Sequence, residues 1–339
     1  MAWFFGDYLR KRLDVPVGLI CVAVGGSPTE TWVPADALRK EPNLKGLVAG
    51  YWLDNERLSD FCQTRANQNL TPAIQAGEYL PGDASGPNHP FKPGFMWEAA
   101  ISRLAPAAIR GVTWYQGESN AGTENRVLDQ ATLLQILIER WRAAWGKPSL
   151  PFYCVQLPGM RRPEWPRFRE IQRRTIQKTS HAGLAITIDL GHPTDVHPIH
   201  KQQVGERLAR LALNQVYGHK DVIPMGPMLD NVIRQKDSVM LSFREVGESL
   251  KSDDGKPLRH FEICGADGVF LPATARLIAP HQIEVSNPKL SEPRHVRYAW
   301  QPFPEPPVNL VNSEGLPGSP FSTEPMRAIF SSAETNKKP

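Results

Sequence analysis

Apolar positions along the chain fall into two kinds of pattern. Residues 3–13, 35–39, 58–76, 95–104, 128–145, 164–180 and 201–217 carry apolar side chains at helical spacing. In the first, Phe4, Tyr8 and Leu9 share a face, and Arg10, Lys11 and Arg12 lie near the C-terminal end, where cations suit the helix dipole. In residues 128–145, Leu133, Leu137 and Trp141 line up with Leu134 and Ile138 beside them. Phe168, Ile171, Thr175 and Ile176 mark the inward face of 164–180, and Val204, Leu208, Leu211 and Ala212 that of 201–217. The second kind is the short continuous apolar run: 17–24, 111–115, 152–157 and 184–189. Such runs read as strands buried on both faces, as in parallel sheets.

Strands alternating with helices in this order predict an α/β fold with a doubly wound parallel sheet. Residues 80–93 are rich in Gly, Pro and Asp and read as a loop. After about residue 218 the pattern changes to short alternating runs such as 239–243 and 282–286, separated by Pro, Asp and Gly, which read as a small antiparallel β unit. The expected organisation is an α/β domain over 1–218, a β-rich unit over 219–330 and a disordered tail over 331–339.

Composition adds exclusions. The 339 residues are 41% hydrophobic and 22% charged, ordinary values for a globular chain. A net charge of +4, with dispersed basic residues, gives no nucleic-acid footprint; the pairs Arg161-Arg162 and Arg173-Arg174 read as solvated faces. Cys21, Cys62, Cys154 and Cys264 lie far apart, so neither a metal site nor a required disulfide is expected. Cys21 and Cys154, inside apolar runs, read as small buried residues. No run is long enough for a membrane-spanning helix, and residues from Met1 on lack an apolar signal core, so no membrane partner is expected and the compartment stays open. No Gly-rich phosphate loop opens a helix, which disfavours a nucleotide-binding domain.

Three strand exits concentrate polar chemistry. Gly25-Gly26 ends the run 17–24 and leads through Ser27-Pro-Thr-Glu-Thr-Trp32. Gly111-Val-Thr-Trp-Tyr breaks at Gly117 into Gln116, Glu118, Ser119 and Asn120. Asp189-Leu-Gly-His-Pro-Thr-Asp-Val-His-Pro198 follows the last run. Strand exits of this kind are where open α/β sheets build their sites. Together with 261–268, 296–300 and 315–321, these blocks resemble the sialate O-acetylesterase family of carbohydrate esterases, within the SGNH (GDSL-like) hydrolases. The resemblance runs from about Phe4 to about Thr323.

It implies a flavodoxin-like sheet, hydrolysis of acetyl esters on sugars or glycans by serine-type acyl transfer, and no cofactor. His197, in Asp195-Val-His-Pro198, takes the role of base; histidine changes charge near neutral pH, so an imidazole can accept a proton and return it to a leaving alcohol. Asp195 is the candidate acid that orients it. The wider superfamily commonly places the acid three residues before the histidine, here Thr194, so Asp189 and Glu118 stay open as alternatives. The oxyanion donors would be the Gly26 N–H and the amide of Gln116, then Asn120. Glu118 and Trp32 are expected to brace the loops. Trp52, His89 and Trp97 are candidates for stacking on sugars. The family's nucleophile lies in a Gly-Gln-Ser-Asn motif after the first strand, and no such motif occurs here. Ser27 and Ser119 lie in site loops but are poor substitutes, and the nucleophile is unassigned. The expected state is a chain lacking the first strand of its sheet, by N-terminal truncation. The competing reading is a carbohydrate-binding remnant without catalysis.

Overall fold

A computed structural model describes residues 1–331; the tail expectation for 331–339 lies outside the described residues apart from Ser331, which ends the last helix. The fold is a mixed α/β one, with one parallel sheet and several antiparallel ones. The helices are α1 (Ala2–Leu13), α2 (Ala35–Lys40), α3 (Asp60–Gln75), α4 (Ser102–Leu104, continuing a π turn over Trp97–Ile101), α5 (Glu124–Ala144), α6 (Trp165–Lys178), α7 (Lys201–Gln215) and α8 (Met326–Ser331). Strands β1 (Gly82–Asp83) and β2 (Gly86–Pro87) form a minimal ladder within the expected loop. β3 (Val112–Trp114), β4 (Phe152–Val155) and β5 (Ala182–Ala185) form the parallel sheet in the order β3-β4-β5.

The chain divides into two compact units. One comprises Met1–Leu19, Tyr153–Arg173 and the chain from Gly183 onward; the other comprises Ile20–Phe152 and Arg174–Ala182. The division falls inside β4, β5 and α6.

The unit holding Ile20–Phe152 is built on indole rings. Trp114, the buried end of β3, meets Trp32 and Trp141 edge-on, with centroids 5.9 and 5.7 Å away, and Phe152 at 6.3 Å. Trp141 comes from the inward face of α5, and its Nε1 donates to the Trp32 carbonyl at 3.0 Å. The helical spacing that aims Trp141 inward thus ties α5 to the turn carrying Trp32. Arg142, next on α5, donates to the carbonyls of Leu150, Ser180 and His181.

In the other unit, α1 packs on α7. After α7 come β6 (Met228–Arg234), β7 (Ser238–Arg244), β8 (Lys251–Ser252), β9 (Phe261–Cys264), β10 (Leu271–Pro272), β11 (Thr274–Ala279), β12 (Gln282–Ser286), β13 (His295–Tyr298), β14 (Leu310–Val311) and β15 (Phe321–Ser322). Two four-stranded antiparallel sheets run β11-β12-β7-β6 and β10-β9-β13-β15. Period-two alternation sets their inner faces: Val239 and Leu241 of β7 pair with Val285 and Ile283 of β12, and all four are buried. Phe243 meets Phe321 at 6.0 Å, and Phe321 meets Tyr298 at 5.9 Å, so aromatic rings link the two sheets.

Two expectations are corrected. Residues 17–24 are neither strand nor buried: Leu19 is 42% and Ile20 57% exposed, and Cys21 is exposed with them. An apolar run becomes a strand only where a neighbour pairs its N–H and C=O groups. No described strand pairs with residues 17–24, and β3 ends its sheet with β4 as its neighbour. The run 184–189 is a strand only as far as Ala185, after which Ile188–Leu190 turns into a 3-10 helix.

Candidate active site

Val24 to Ser27 form a tight turn, with Ser27 N donating to the Val24 carbonyl at 3.2 Å. Gly26 sits at its third position with φ 77°, a conformation that demands glycine. Pro28 follows, and Thr29–Trp32 close into a 3-10 turn, every residue of which is buried.

The polar knot after β3 grips this turn. Asn120 Oδ1 accepts from the Thr29 N–H at 2.9 Å and from Gln116 Nε2 at 2.7 Å. Thr29 Oγ1 lies 2.8 Å from Gln116 Oε1 and 3.1 Å from both Asn120 Oδ1 and Gln130 Oε1, so its single proton has three oxygens within reach. Gln116 Nε2 also donates to the Ser27 carbonyl at 3.2 Å. Both amide donors of Gln116 therefore point into the knot. Asn120 is fully buried, and its Nδ2 donates to Glu30 Oε2 at 2.9 Å.

Beneath the knot lies a charge pair. Glu30 Oε1 accepts from Arg126 Nη2 at 2.6 Å, with the two side chains 0% and 5% exposed. Arg126 also donates from Nη1 to the Arg57 carbonyl, and Arg57 pairs with Asp129 at 2.7 Å. α5 supplies Arg126, Asp129 and Gln130 from its first two turns.

Two serines lie at the turn. Ser27 Oγ donates to the Val24 carbonyl at 2.7 Å and accepts from Trp32 Nε1 at 3.0 Å. Ser119 Oγ donates to the Gly26 carbonyl at 2.7 Å. Each hydroxyl proton is thus held by a main-chain carbonyl. Glu118 is half-buried, and its charge helps burial push the Tyr115 hydroxyl up.

The third loop belongs to the other unit. Gly191 is required by close approach: a Cβ there would lie 2.1 Å from the Gly159 carbonyl oxygen. Arg161 N donates to the Pro193 carbonyl at 2.9 Å, which pins the loop further on. His192 Nδ1 accepts from the Thr194 and Asp195 N–H groups, so His192 organises the bend. Asp195 Oδ1 accepts from the His197 N–H at 2.8 Å, and His197 Nδ1 lies 3.6 Å from the same oxygen. The His197 side chain is 87% exposed. Asp189, the alternative acid, is held by both Arg207 Nη groups at 2.6 Å.

Of the stacking candidates, Trp52 is buried and stacks on His89 with centroids 5.9 Å apart, while Trp97 is half-buried. His89 Nδ1 accepts from the Phe91 N–H at 3.1 Å, and burial holds its pKa below the usual histidine value of 6.5. Protonation would put a hydrogen on Nδ1 and break that bond. With the folded-state pKa depressed, the unfolded chain binds more protons once the pH falls below about 6.5, so His89 removes stability on acidification. Urea titrations at pH 7 and pH 5 should show a smaller loss of stability for His89→Leu than for the unaltered chain; equal losses would contradict this.

Against this geometry the chain matches the family model for carbohydrate esterase, sialic acid-specific acetylesterase, over residues 1–214. It belongs to that family. Sialate O-acetylesterase of Mus musculus is 27% identical over 355 residues, covering 95% of this chain and 62% of that protein. The Rattus norvegicus enzyme is 26% identical, covering 95% and 63%. The crystal structure of a carbohydrate acetylesterase from Xanthomonas citri superposes with a TM-score of 0.74 at 30% identity, covering 95% of this chain and 64% of that one. The chain thus spans less than two thirds of the length of these relatives. No described helix is long and apolar enough to cross a membrane.

Sequence reasoning did not single out Thr29, Glu30, Arg126 or Gln130. Thr29 and Glu30 stand inside the motif after Ser27, where their residue types were the available signal. Arg126 is 96 positions from Glu30. Nothing local marks it, because a basic residue in the first turn of a helix reads as solvated.

Proposed function

We propose that the protein removes O-acetyl groups from sugars, sialic acid among them, by serine-type acyl transfer. His197 takes the proton of the attacking serine hydroxyl as its oxygen bonds to the acetyl carbon, and returns it to the sugar oxygen as the ester C–O bond breaks; the same base then takes a proton from the water that attacks the acetyl–serine ester and returns it to the serine oxygen as acetate leaves. Asp195 orients His197. The Gly26 N–H donates a hydrogen bond to the carbonyl oxygen as negative charge develops on it. Gln116 and Asn120 serve that oxyanion site, and with their amides turned into the knot they do so here by holding the turn; Trp32 and Glu118 brace it. The attacking serine is not assigned to a residue of this chain. The proposal carries a flavodoxin-like, SGNH-type sheet whose first strand is not among the described residues, with the α/β domain over 1–218 and the β-rich unit over 219–330.

One observation carries the reading: the loop after Gly26 and the loop after β3 are bonded to each other, Thr29 to Asn120 and Ser27 to Gln116, beside Gly26, an exposed residue. A second reading, carbohydrate binding without turnover, draws on the Ser27 and Ser119 hydroxyls being held by main-chain carbonyls. Titration calorimetry of the His197→Ala variant, which leaves the ester uncleaved, with the methyl glycoside of O-acetylated sialic acid tests what both share. Binding about tenfold tighter than that of the deacetylated sugar is expected if the ester carbonyl makes a hydrogen bond worth about 1.4 kcal/mol. Equal affinity, or none, sinks the ester site in either form.

A further inference from the structure

Phe61, in the first turn of α3, is a large apolar side chain left 55% exposed beside the candidate oxyanion turn. It rests on Gly26: a Cβ on that glycine would lie 3.0 Å from Phe61 Cε1 and 3.3 Å from Phe91 Cζ. The next residue, Cys62, is buried and donates its thiol to the Gly26 carbonyl at 3.6 Å, so the helix turn presenting Phe61 is anchored on the same glycine. Phe91 stands behind, with ring centroids 6.3 Å apart, and is backed edge-on by His89 at 4.8 Å. Phe91, His89 and Trp52 are all buried. Phe61 alone in this row of rings is open to water.

We propose that Phe61 is a platform for the apolar C–H face of the pyranose ring that carries the ester, stacking on it while the acyl carbonyl meets the Gly26 N–H. The proposal rests on the carbohydrate-ester reading above and adds the residue that orients the sugar. An aromatic face is electron-rich and attracts the slightly positive C–H groups of a sugar. Ligand sites commonly pair such an apolar wall with a few convergent polar groups. A ring packed beside Gly26 and tilted against Phe91 has less rotamer freedom to lose on binding than a side chain without neighbours. An acetyl methyl is one carbon and covers little of a benzyl face, whereas a pyranose ring matches it in size. This size match favours the sugar over the acyl group as the occupant.

The test is a proton NMR titration of the methyl glycoside of O-acetylated sialic acid with the protein and its Phe61→Ala, Phe61→Tyr and Phe61→Trp variants, all in a His197→Ala background that leaves the ester uncleaved. Circular dichroism melts establish that each variant is folded. With Phe61 in place the ring C–H protons of the sugar should shift upfield on binding, under the ring current of Phe61. Phe61→Ala should abolish that shift and weaken binding about tenfold, an effect at the upper end of aromatic contacts. Tyr and Trp should restore both. A Phe61→Ala variant that binds with unchanged affinity and unchanged ring-proton shifts overturns the platform while leaving the ester reading standing. Loss of the acetyl methyl shift alone assigns Phe61 to the acyl group and overturns it equally. A self-association lost in Phe61→Ala, with sugar binding intact, would make Phe61 a contact between copies instead. No binding with Phe61 in place removes the ester reading and the platform together.

Discussion

Arg126→Met is expected to lower the unfolding free energy by about 3–5 kcal/mol, because it leaves the buried carboxylate of Glu30 without its counter-charge. Glu30 would retain the Asn120 amide at 2.9 Å, one hydrogen bond where a carboxylate has room for several. Desolvation of an uncompensated charge dominates that sum. The double variant Glu30→Gln with Arg126→Met should be more stable than Arg126→Met alone, since the neutral amide keeps the shape and removes the charge. Urea unfolding at pH 7 measures both. A single substitution costing less than about 1 kcal/mol, or a double variant less stable than the single one, would show that the pair is not holding the turn. The effect should spread beyond stability. Glu30 holds Asn120, Asn120 holds Thr29, and Gln116 ties Asn120 to Ser27, so loosening the pair loosens the turn that presents Gly26.

His197→Ala should behave in the opposite way. The side chain is 87% exposed and 3.6 Å from its nearest acid, so removing it should change stability by less than about 0.5 kcal/mol. Acetate release should fall by about 10²–10⁴-fold, the usual contribution of a positioned acid–base residue. Asp195→Asn should cause a smaller fall, because Asp195 acts through His197: its Oδ1 accepts the His197 N–H and fixes the loop's backbone. His192→Ala serves as a contrast. That residue shapes the bend through its Nδ1, so its loss should act through the loop and be reflected in the melting temperature.

The long helices α1, α3, α5, α6 and α7 were legible because each carries a periodic apolar face, whereas α8, six residues long, was not read. The pattern ending in Trp141 places α5, and the tryptophan then ties the helix to the Trp32 carbonyl. The antiparallel unit was legible from alternation, as Val239, Leu241, Ile283 and Val285 share one buried face. The run 17–24 misled for a physical reason. Its apolar residues state what a strand there would prefer, while pairing depends on a neighbour that local sequence does not specify. For the candidate site, the three loops could be read as motifs, but the bonds that tie the first to the second could not. Gln116 was expected to present its amide, and the fold turns both donors inward to Asn120 and Ser27. Phe61 was invisible because an aromatic at the start of a helix reads as core, and exposure comes only with tertiary packing.

The measurement that bears most directly on the central claim is acetate release from O-acetylated sialoside, followed by proton NMR at pH 7, for the protein and its His197→Ala variant side by side. The account predicts a growing free-acetate signal with the unaltered protein and almost none with the variant. Release that continues unchanged in His197→Ala, or tight binding of the ester with no release by either, would contradict it.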